Sequence, residues 1–493
     1  MTFSTLPDQR STSAPGALAV TDSRQSLTNA ELHRRVESVA AQLTEHGVAS
    51  GDVVALRLIN RVEFVVLLFA AWRIGATITP VNPALTTTEV TRQLDDCSAR
   101  ILVTEDGADT VHGVRSLAVS DLRYDLAAEH QPVDDPDALA LLIYTSGTTG
   151  VPKGVMLDHA NLDAMTGMGR GALQLGSTDR CLLLLPLFHV NGIIVSVLCP
   201  LLVGASVTIA DRFDPRTFFD TVEQVRPTYF SAVPTIYSML AALPEELSPD
   251  TSSIRFAVCG AAPAPAELLT GFERRYGFPI IEAYGLSEGT CGSTINPIDG
   301  PRKAGTVGVS FPGQELRVIG TDDQPLPQGA DGEIVVRGPN VMRGYLGRPA
   351  ETAATIVDGW LHTGDIGHLD ADGYLTIVGR SKEMIIRGGE NIYPKEIEDV
   401  LTSAPNVLEA AVVGVPDAKW GEIVIAYVQP RPGTTIDIEA LTSHCKDNLS
   451  SYKRPTAIHS METLPKNAVG KLDKVALRTT ALRADALALG VRR

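Results

Sequence analysis

The chain has 493 residues, 44% of them hydrophobic and 20% charged, with 43 Gly and 31 Pro. At roughly 100–200 residues per domain this is a globular composition spread over several cores, neither fibrous nor disordered. The 58 Asp and Glu against 42 Lys and Arg leave a net charge of −16, which repels nucleic acid and anionic lipid at long range, so local positive groups must hold any anionic ligand.

Residues 28–46 place apolar side chains at helical spacing behind a Thr28 or Asn29 cap. Residues 52–58 read as a strand, 63–74 as a buried helix and 77–81 as another strand. Strand-like runs recur at 101–103, 138–143, 181–185, 206–209, 229–232, 256–259 and 280–284, the alternation expected of parallel sheets covered by helices. From about residue 305, short strands (315–319, 332–337 and 372–378, with an Asp372-Gly373 turn) predict a β-rich subdomain. Beyond Gly379 the order is helix 394–402, strands 407–415 and 422–429, and helix 438–449. The fold class is α/β: a large N-terminal domain of parallel-type sheets with a β-rich subdomain, over 1–379, then a small α+β domain over 384–493, joined at 380–383.

Residues 181–210 hold no Asp, Glu, Lys or Arg and are long enough to cross a bilayer. Pro186, His189, Asn191 and Pro200 interrupt them, and the runs read as strand, loop, helix, strand, which predicts a buried core rather than a membrane span. The six cysteines (Cys97, Cys181, Cys199, Cys259, Cys291 and Cys445) contain no C-x-x-C pair and suggest neither a disulfide framework nor a zinc site. With no signal-like start, the expectation is a cytoplasmic protein without a transmembrane segment.

The strongest motif is Tyr144-Thr-Ser-Gly-Thr-Thr-Gly-Val-Pro-Lys-Gly154. A hydrophobic strand runs into Thr145, Ser146, Gly147, Thr148, Thr149 and Gly150 and reaches Lys153. Glycines let backbone N–H groups approach phosphate oxygens, hydroxyls donate further bonds, and Lys153 adds a mobile charge. The spacing is not that of a Walker-type loop. Lys153 and Lys303 are the only lysines before residue 382, which weakens the reading as an ordinary polar surface loop.

Further motifs follow: Leu185-Pro-Leu-Phe-His-Val-Asn-Gly192, Tyr284-Gly-Leu-Ser-Glu-Gly-Thr290, Thr363-Gly-Asp365, Gly379-Arg-Ser-Lys-Glu-Met-Ile-Ile-Arg-Gly-Gly-Glu390 and Pro465-Lys-Asn-Ala-Val-Gly-Lys471. In this order, over nearly the whole chain, they resemble the adenylate-forming acyl-CoA synthetases, related to beetle luciferases and peptide-synthetase adenylation domains. The resemblance implies ATP, Mg²⁺ and CoA as cofactor or co-substrates, a small carboxylic acid as the other partner, no nucleic acid, and a monomer or homodimer.

By that resemblance Glu288 is the magnesium ligand, with Thr145 a second candidate, although alone Glu288 would read as a solvated carboxylate. Asp365 accepts from the ribose hydroxyls, where sequence alone suggests a turn residue. Tyr284 stacks on adenine, and Gly260, Ala261 and Ala262 line its edge. Glu282, Ala283, Gly285 and Ser287 flank that segment, and Arg380 reaches ribose and phosphate. Lys471 neutralises charge in the adenylation step. Lys382 is the hinge of a mobile C-terminal domain, and Gly388, Gly389 and Glu390 receive the pantetheine arm of CoA, a place that also reads as a tight turn. His189 is either a satisfied half-buried histidine or a gate to the acyl pocket, and it is grouped with the catalytic residues.

The acyl pocket is assigned to Asn191, Ile194, Val233, Leu286 and Cys291. Malonyl-CoA synthetases carry an arginine before the Tyr-Gly pair, where this chain has Ala283, and oxalate–CoA ligases have a second histidine where Asn191 stands. Both departures favour a medium-chain or cyclic monocarboxylate over oxalate or malonate. Loading a carrier protein instead of CoA is the remaining alternative.

Overall fold

Two sheets with parallel centres carry the first compact unit, Met1–Leu316 with Val335–His362; the second unit comprises Arg317–Ile334 and Thr363–Arg493. The computed structural model describes residues 2–108, 111, 113–127, 131–145, 152–262, 264–417, 419–466 and 471–488.

One sheet of the first unit has seven strands. Val53–Arg57, Thr77–Pro80, Ile101–Thr104, Arg115–Ala118 and Leu139–Thr145 pair in parallel, and Lys153–Asp158 and Gly344–Tyr345 extend one edge antiparallel. The other has nine strands, with Leu18–Thr21, Ser206–Ile209, Arg180–Leu183, Tyr229–Ala232, Phe256–Cys259 and Ile280–Tyr284 parallel at its centre. Strands such as Thr77–Pro80, Ile101–Thr104 and Phe256–Cys259 are buried at every position, as parallel strands covered on both faces must be.

The expected buried helix is Val62–Arg73, all of it buried. Its charges are paired: Arg61 Nε lies 2.8 Å from Glu63, and Arg73 Nη1 2.7 Å from Asp8. The first amphipathic helix is Asn29–Glu45, fixed by a capping box in which Thr28 accepts from the Glu31 N–H and Glu31 answers to the Thr28 N–H. Residues 181–210 do resolve into strand, loop, helix and strand, and no described helix is long and apolar enough to cross a membrane.

The helix inside that stretch is irregular. Val190–Ile193 and Cys199–Leu202 are α-helical, and Ile194–Leu198 between them forms a π turn. Pro200 has no N–H to return to the preceding turn, and its ring would crowd a carbonyl there; a widened turn accommodates both.

The short strands expected after residue 305 appear as Glu315–Ile319, Gly332–Arg337 and Leu375–Arg380, and the 10-residue strand Trp360–Leu369 joins them without having been expected. The division into compact units falls inside this stretch, so 317–334 and 363–380 group with the C-terminal residues. In the second unit, Val407–Asp417 and Gly421–Pro430 form a long antiparallel pair, joined by Ile385–Arg387, Glu390–Ile392 and the parallel strand Ala457–Ser460. Helices Pro394–Thr402, Ile438–Asn448 and Lys474–Ala488 accompany this sheet. Its core gathers Ile397, Leu401, Val412, Val424, Ala426 and Leu441.

Candidate active site

The phosphate-loop motif sits on a β-hairpin. Leu139–Thr145 leads in and Lys153–Asp158 leads out, with Thr145 directly opposite Lys153 in the antiparallel register. Ser146, Gly147, Thr148, Thr149 and Gly150 lie outside the described residues. At the entrance the Tyr144 hydroxyl donates 2.6 Å to Asp96 Oδ2. Burial, and then this carboxylate, push the phenol far above its ordinary value and keep it a donor.

Lys153 forms an ion pair with Glu351, and its ammonium lies 5.0 Å from the centre of the Tyr345 ring. The strand Gly344–Tyr345 is antiparallel to that of Lys153, with Tyr345 opposite Val155. The Tyr345 hydroxyl donates 2.9 Å to Glu288 Oε1. One tyrosine thus touches two groups read from the sequence as ATP- and metal-binding. Neither Tyr345 nor Glu351 was legible beforehand, because only the long-range pairing of residues 344–345 with the hairpin brings them here.

Gly260, Ala261, Ala262, Glu282, Ala283 and Tyr284 stand at the carboxyl ends of two adjacent parallel strands, where open α/β sheets place their ligands. Cys259 is opposite Glu282 in the register, and Glu282 is buried. Ala261 has a φ of 69°, a left-handed conformation uncommon for a residue with a Cβ. Thr290 and Cys291 follow suit at 57° and 126°. Such departures concentrate at functional loops. Gly285 has no alternative: a Cβ there would fall 1.6 Å from the Cys291 carbonyl oxygen. The turn Ser287–Gly289 carries Glu288, whose own carbonyl accepts 2.8 Å from the Met342 N–H.

His189 immediately precedes the irregular helix, its ring 4.5 Å from that of Phe188. Asn191 is the second residue of that helix, and its Oδ1 accepts 3.1 Å from the buried Ser231 hydroxyl. Gly192 lets the turn close, since a Cβ would meet the Pro186 carbonyl oxygen at 2.7 Å. Ile194 is fully buried, while Val233, Leu286 and Cys291 are half-buried. Burial pushes the Cys291 thiol up to about 12, so it is a neutral lining group.

In the second unit Asp365 and Arg380 stand opposite each other on paired strands, and Arg380 Nε donates 2.7 Å to Asp365 Oδ1. The Asp365 N–H bonds to Thr363 Oγ1 at 3.1 Å, and that hydroxyl donates 2.7 Å to the Ile334 carbonyl. Lys382 lies in the single turn Ser381–Glu383. Gly388 and Gly389, with φ of 62° and 88°, form a two-residue turn between Arg387 and Glu390. The tight-turn reading is therefore correct for this pair, which forms the tip of a hairpin. Lys471 directly follows residues outside the described set; Lys466, in the same motif, bridges to Glu409 at 3.1 Å.

Two family models match the chain, that of the AMP-binding enzyme over residues 8–346 and that of the AMP-binding enzyme C-terminal domain over 396–471. Among curated proteins, the chain is 40% identical over 480 residues to a feruloyl-CoA synthase of Amycolatopsis sp, covering 96% of this chain and 97% of that one. It is 37% identical to an oxalate–CoA ligase of Arabidopsis thaliana, covering 95% of each. The o-succinylbenzoate CoA synthetase of Bacillus subtilis, solved with its acyl-adenylate intermediate, superposes with a TM-score of 0.89 at 34% identity, covering 96% of this chain and 97% of that one. The same synthetase has been solved with ATP and a magnesium ion. This chain belongs to the AMP-binding enzymes, the family of adenylate-forming acyl-CoA ligases.

Proposed function

We propose that the enzyme converts a cyclic or medium-chain monocarboxylic acid to its acyl-adenylate with ATP and then to its CoA thioester. A carboxylate is a poor electrophile, because its leaving group would be oxide. Its attack on the α-phosphorus forms an acyl–oxygen–phosphorus bond and expels pyrophosphate. The CoA thiol then gives up its proton and attacks the acyl carbon, and AMP leaves with the bonding pair.

Lys153 and the hydroxyls of its loop take the terminal phosphates, Tyr284 and residues 260–262 hold adenine, and Asp365 accepts from the ribose diol with Arg380 beside it. Lys471 meets the charge that builds on the α-phosphate. After adenylation, torsions at Lys382 turn the C-terminal residues so that Gly388 and Gly389 admit the pantetheine arm. Among the described residues no three His, Cys, Asp or Glu side chains cluster to hold a metal. A Mg²⁺ suits Glu288 nonetheless, since this ion takes one or two protein oxygens and completes its octahedron with phosphate and water. Glu288 would hold it with Thr145 in reach of the same phosphates, and the ion supplies charge neutralisation at the nucleotide.

The acid class rests on one observation. The residues assigned to the acyl pocket, Asn191, Ile194, Val233, Leu286 and Cys291, include no Lys or Arg, so apart from the His189 imidazole at its gate a second carboxylate would enter without a counter-ion. The relative named for a feruloyl group is consistent with a ring-bearing monocarboxylic acid, whereas succinylbenzoate, the acid of another, has a ring and two carboxylates. The oxalate–CoA ligase keeps the small dicarboxylates in the test.

The test is pyrophosphate release from ATP and Mg²⁺ across aryl acids, C4–C16 fatty acids, oxalate, malonate and amino acids, with and without CoA. CoA-dependent turnover of an apolar acid, lost in Lys471→Ala, is the expected result. Turnover of oxalate or malonate alone overturns the acid class. Acyl-AMP formation without transfer to CoA moves the acceptor to a carrier protein.

A further inference from the structure

The ion pair between Lys153 and Glu351 stands at the first residue of the strand that follows the phosphate-loop motif, and nothing in the reaction as written uses the carboxylate. Lys153 is the first residue of its strand, and its side chain is 17% exposed, too enclosed for a lysine to be left unpaired cheaply. Glu351, on the short helix Pro349–Thr355, is 39% exposed. The pairing of Gly344–Tyr345 with the strand of Lys153 holds the two side chains in reach of each other through the backbone register. Glu351 has a second cation in waiting: Arg348 Nη1 is 3.8 Å from its Oε1, while Arg348 Nη2 is 3.3 Å from Asp96. When Lys153 leaves, the carboxylate keeps a positive neighbour and a solvent-facing side.

We propose that Glu351 is the resting counter-ion of Lys153, a carboxylate that nucleotide phosphates must displace and that recaptures the lysine as pyrophosphate departs. This deepens the reading of Lys153 as a phosphate ligand and rests on it. Two anions compete for one ammonium. Glu351 therefore weakens the hold on ATP and on pyrophosphate together, and the enzyme gains an easier product release for a looser grip on substrate. A carboxylate and a phosphate can change places here by a rotamer change of Lys153, whose ammonium rests 5.0 Å from the centre of the Tyr345 ring beside Glu351.

The experiment is a double-mutant cycle on the full chain, with Glu351→Gln, Lys153→Met and both together. ATP with Mg²⁺ and, separately, pyrophosphate are titrated calorimetrically without acid, and pyrophosphate inhibition is measured in turnover. Glu351→Gln is expected to tighten both ligands by about two- to fivefold, the scale of a partly exposed ion pair, and to do nothing in the Lys153→Met background. Product inhibition should deepen in the same ratio. If Lys153→Met weakens binding but Glu351→Gln weakens it too, or leaves it unchanged, the carboxylate does not compete and the proposal is overturned while the phosphate-loop reading stands. If Lys153→Met changes neither ligand, that reading fails and the counter-ion role falls with it. Glu351→Ala, in a helix with no buried residue, provides the same readouts should the amide variant misfold.

Discussion

Arg380 Nε donates 2.7 Å to Asp365 Oδ1 across a two-stranded ladder in which the two residues are direct partners. The pair is lopsided: the Asp365 side chain is 5% exposed and that of Arg380 55%. The buried acceptor is held at a fixed place by the strand, by Thr363 on its own N–H and by Arg380 on its carboxylate. A carboxylate so fixed suits a vicinal diol, which needs two acceptors in one plane.

Asp365→Asn should therefore raise the KM for ATP by roughly tenfold or more, the loss of hydrogen bonds to a charged acceptor. Stability should change little, because Arg380 is left largely in water. Replacing ATP by 2′-deoxy-ATP should cost the wild type a comparable factor and the variant almost nothing. Equal losses in both would show that Asp365 does not meet the ribose.

The second anchor of this region is Lys474, whose Nζ lies 2.5 Å from Glu383 and 2.9 Å from Glu398. Arg380, tied to Asp365, and Glu383, tied to Lys474, flank Lys382, the residue proposed as the hinge. Burial pulls the Lys474 ammonium down, but Glu398 and Glu383 together outweigh it and hold it above its ordinary 10.5. Because the folded value is the higher one, this stabilisation is complete below 10.5 and is lost as pH climbs through the raised value. Lys474→Met should lower the stability of the C-terminal residues by about 3 kcal/mol, since two carboxylates lose their shared cation. It should also slow the CoA step more than adenylation; equal effects on both steps would argue against a role at the hinge.

Most strands were legible because they are short apolar runs bounded by Gly, Pro and Asp, and 206–209, 229–232 and 256–259 fall where they were expected. Helix His159–Ala172 was not, because Gly167, Gly169 and Gly171 mask its periodicity. Gly169 has a packing reason: a Cβ there would press to 3.2 Å from Cys199 Sγ. Local patterns also could not show Tyr345 on Glu288 or Glu351 on Lys153, which depend on pairing across the chain. Glu288 and Asp365 stood out only through the family resemblance of their motifs, since alone they read as a solvated carboxylate and a turn residue, and their supporting contacts appear only in three dimensions.

His159 follows the Asp158 cap of that same helix, its ring 5.3 Å from that of Trp72, with Nδ1 buried and unmatched by any hydrogen-bond partner. Burial lowers its pKa from 6.5 to about 4. The folded state thus resists protonation, and stability is full above 6.5 and falls between there and about 4. The loss should approach about 3 kcal/mol, at 1.36 kcal/mol per pKa unit. Urea unfolding at pH 7 and pH 4.5 should show a drop in the wild type that His159→Phe largely removes. An undiminished drop would assign the acid sensitivity to other groups.

Asn191 belongs to the wall proposed for the acyl pocket. Ser231 holds Asn191 Oδ1 at 3.1 Å, so the side-chain amide is turned with its carbonyl to the sheet. Its N–H₂ then faces away from Ser231 and can serve an acceptor on the acid, such as a ring hydroxyl or ether oxygen. Asn191→Leu should raise kcat/KM for unbranched alkyl acids and lower it for acids with a polar tail, about tenfold in the ratio, one hydrogen bond against one buried methyl pair. Ser231→Ala should move the ratio in the same direction by less, because the amide remains but loses its orientation. If neither variant shifts the ratio between the two acid classes, Asn191 does not face the acyl chain, and selectivity would rest instead on Val233, Leu286 and Cys291.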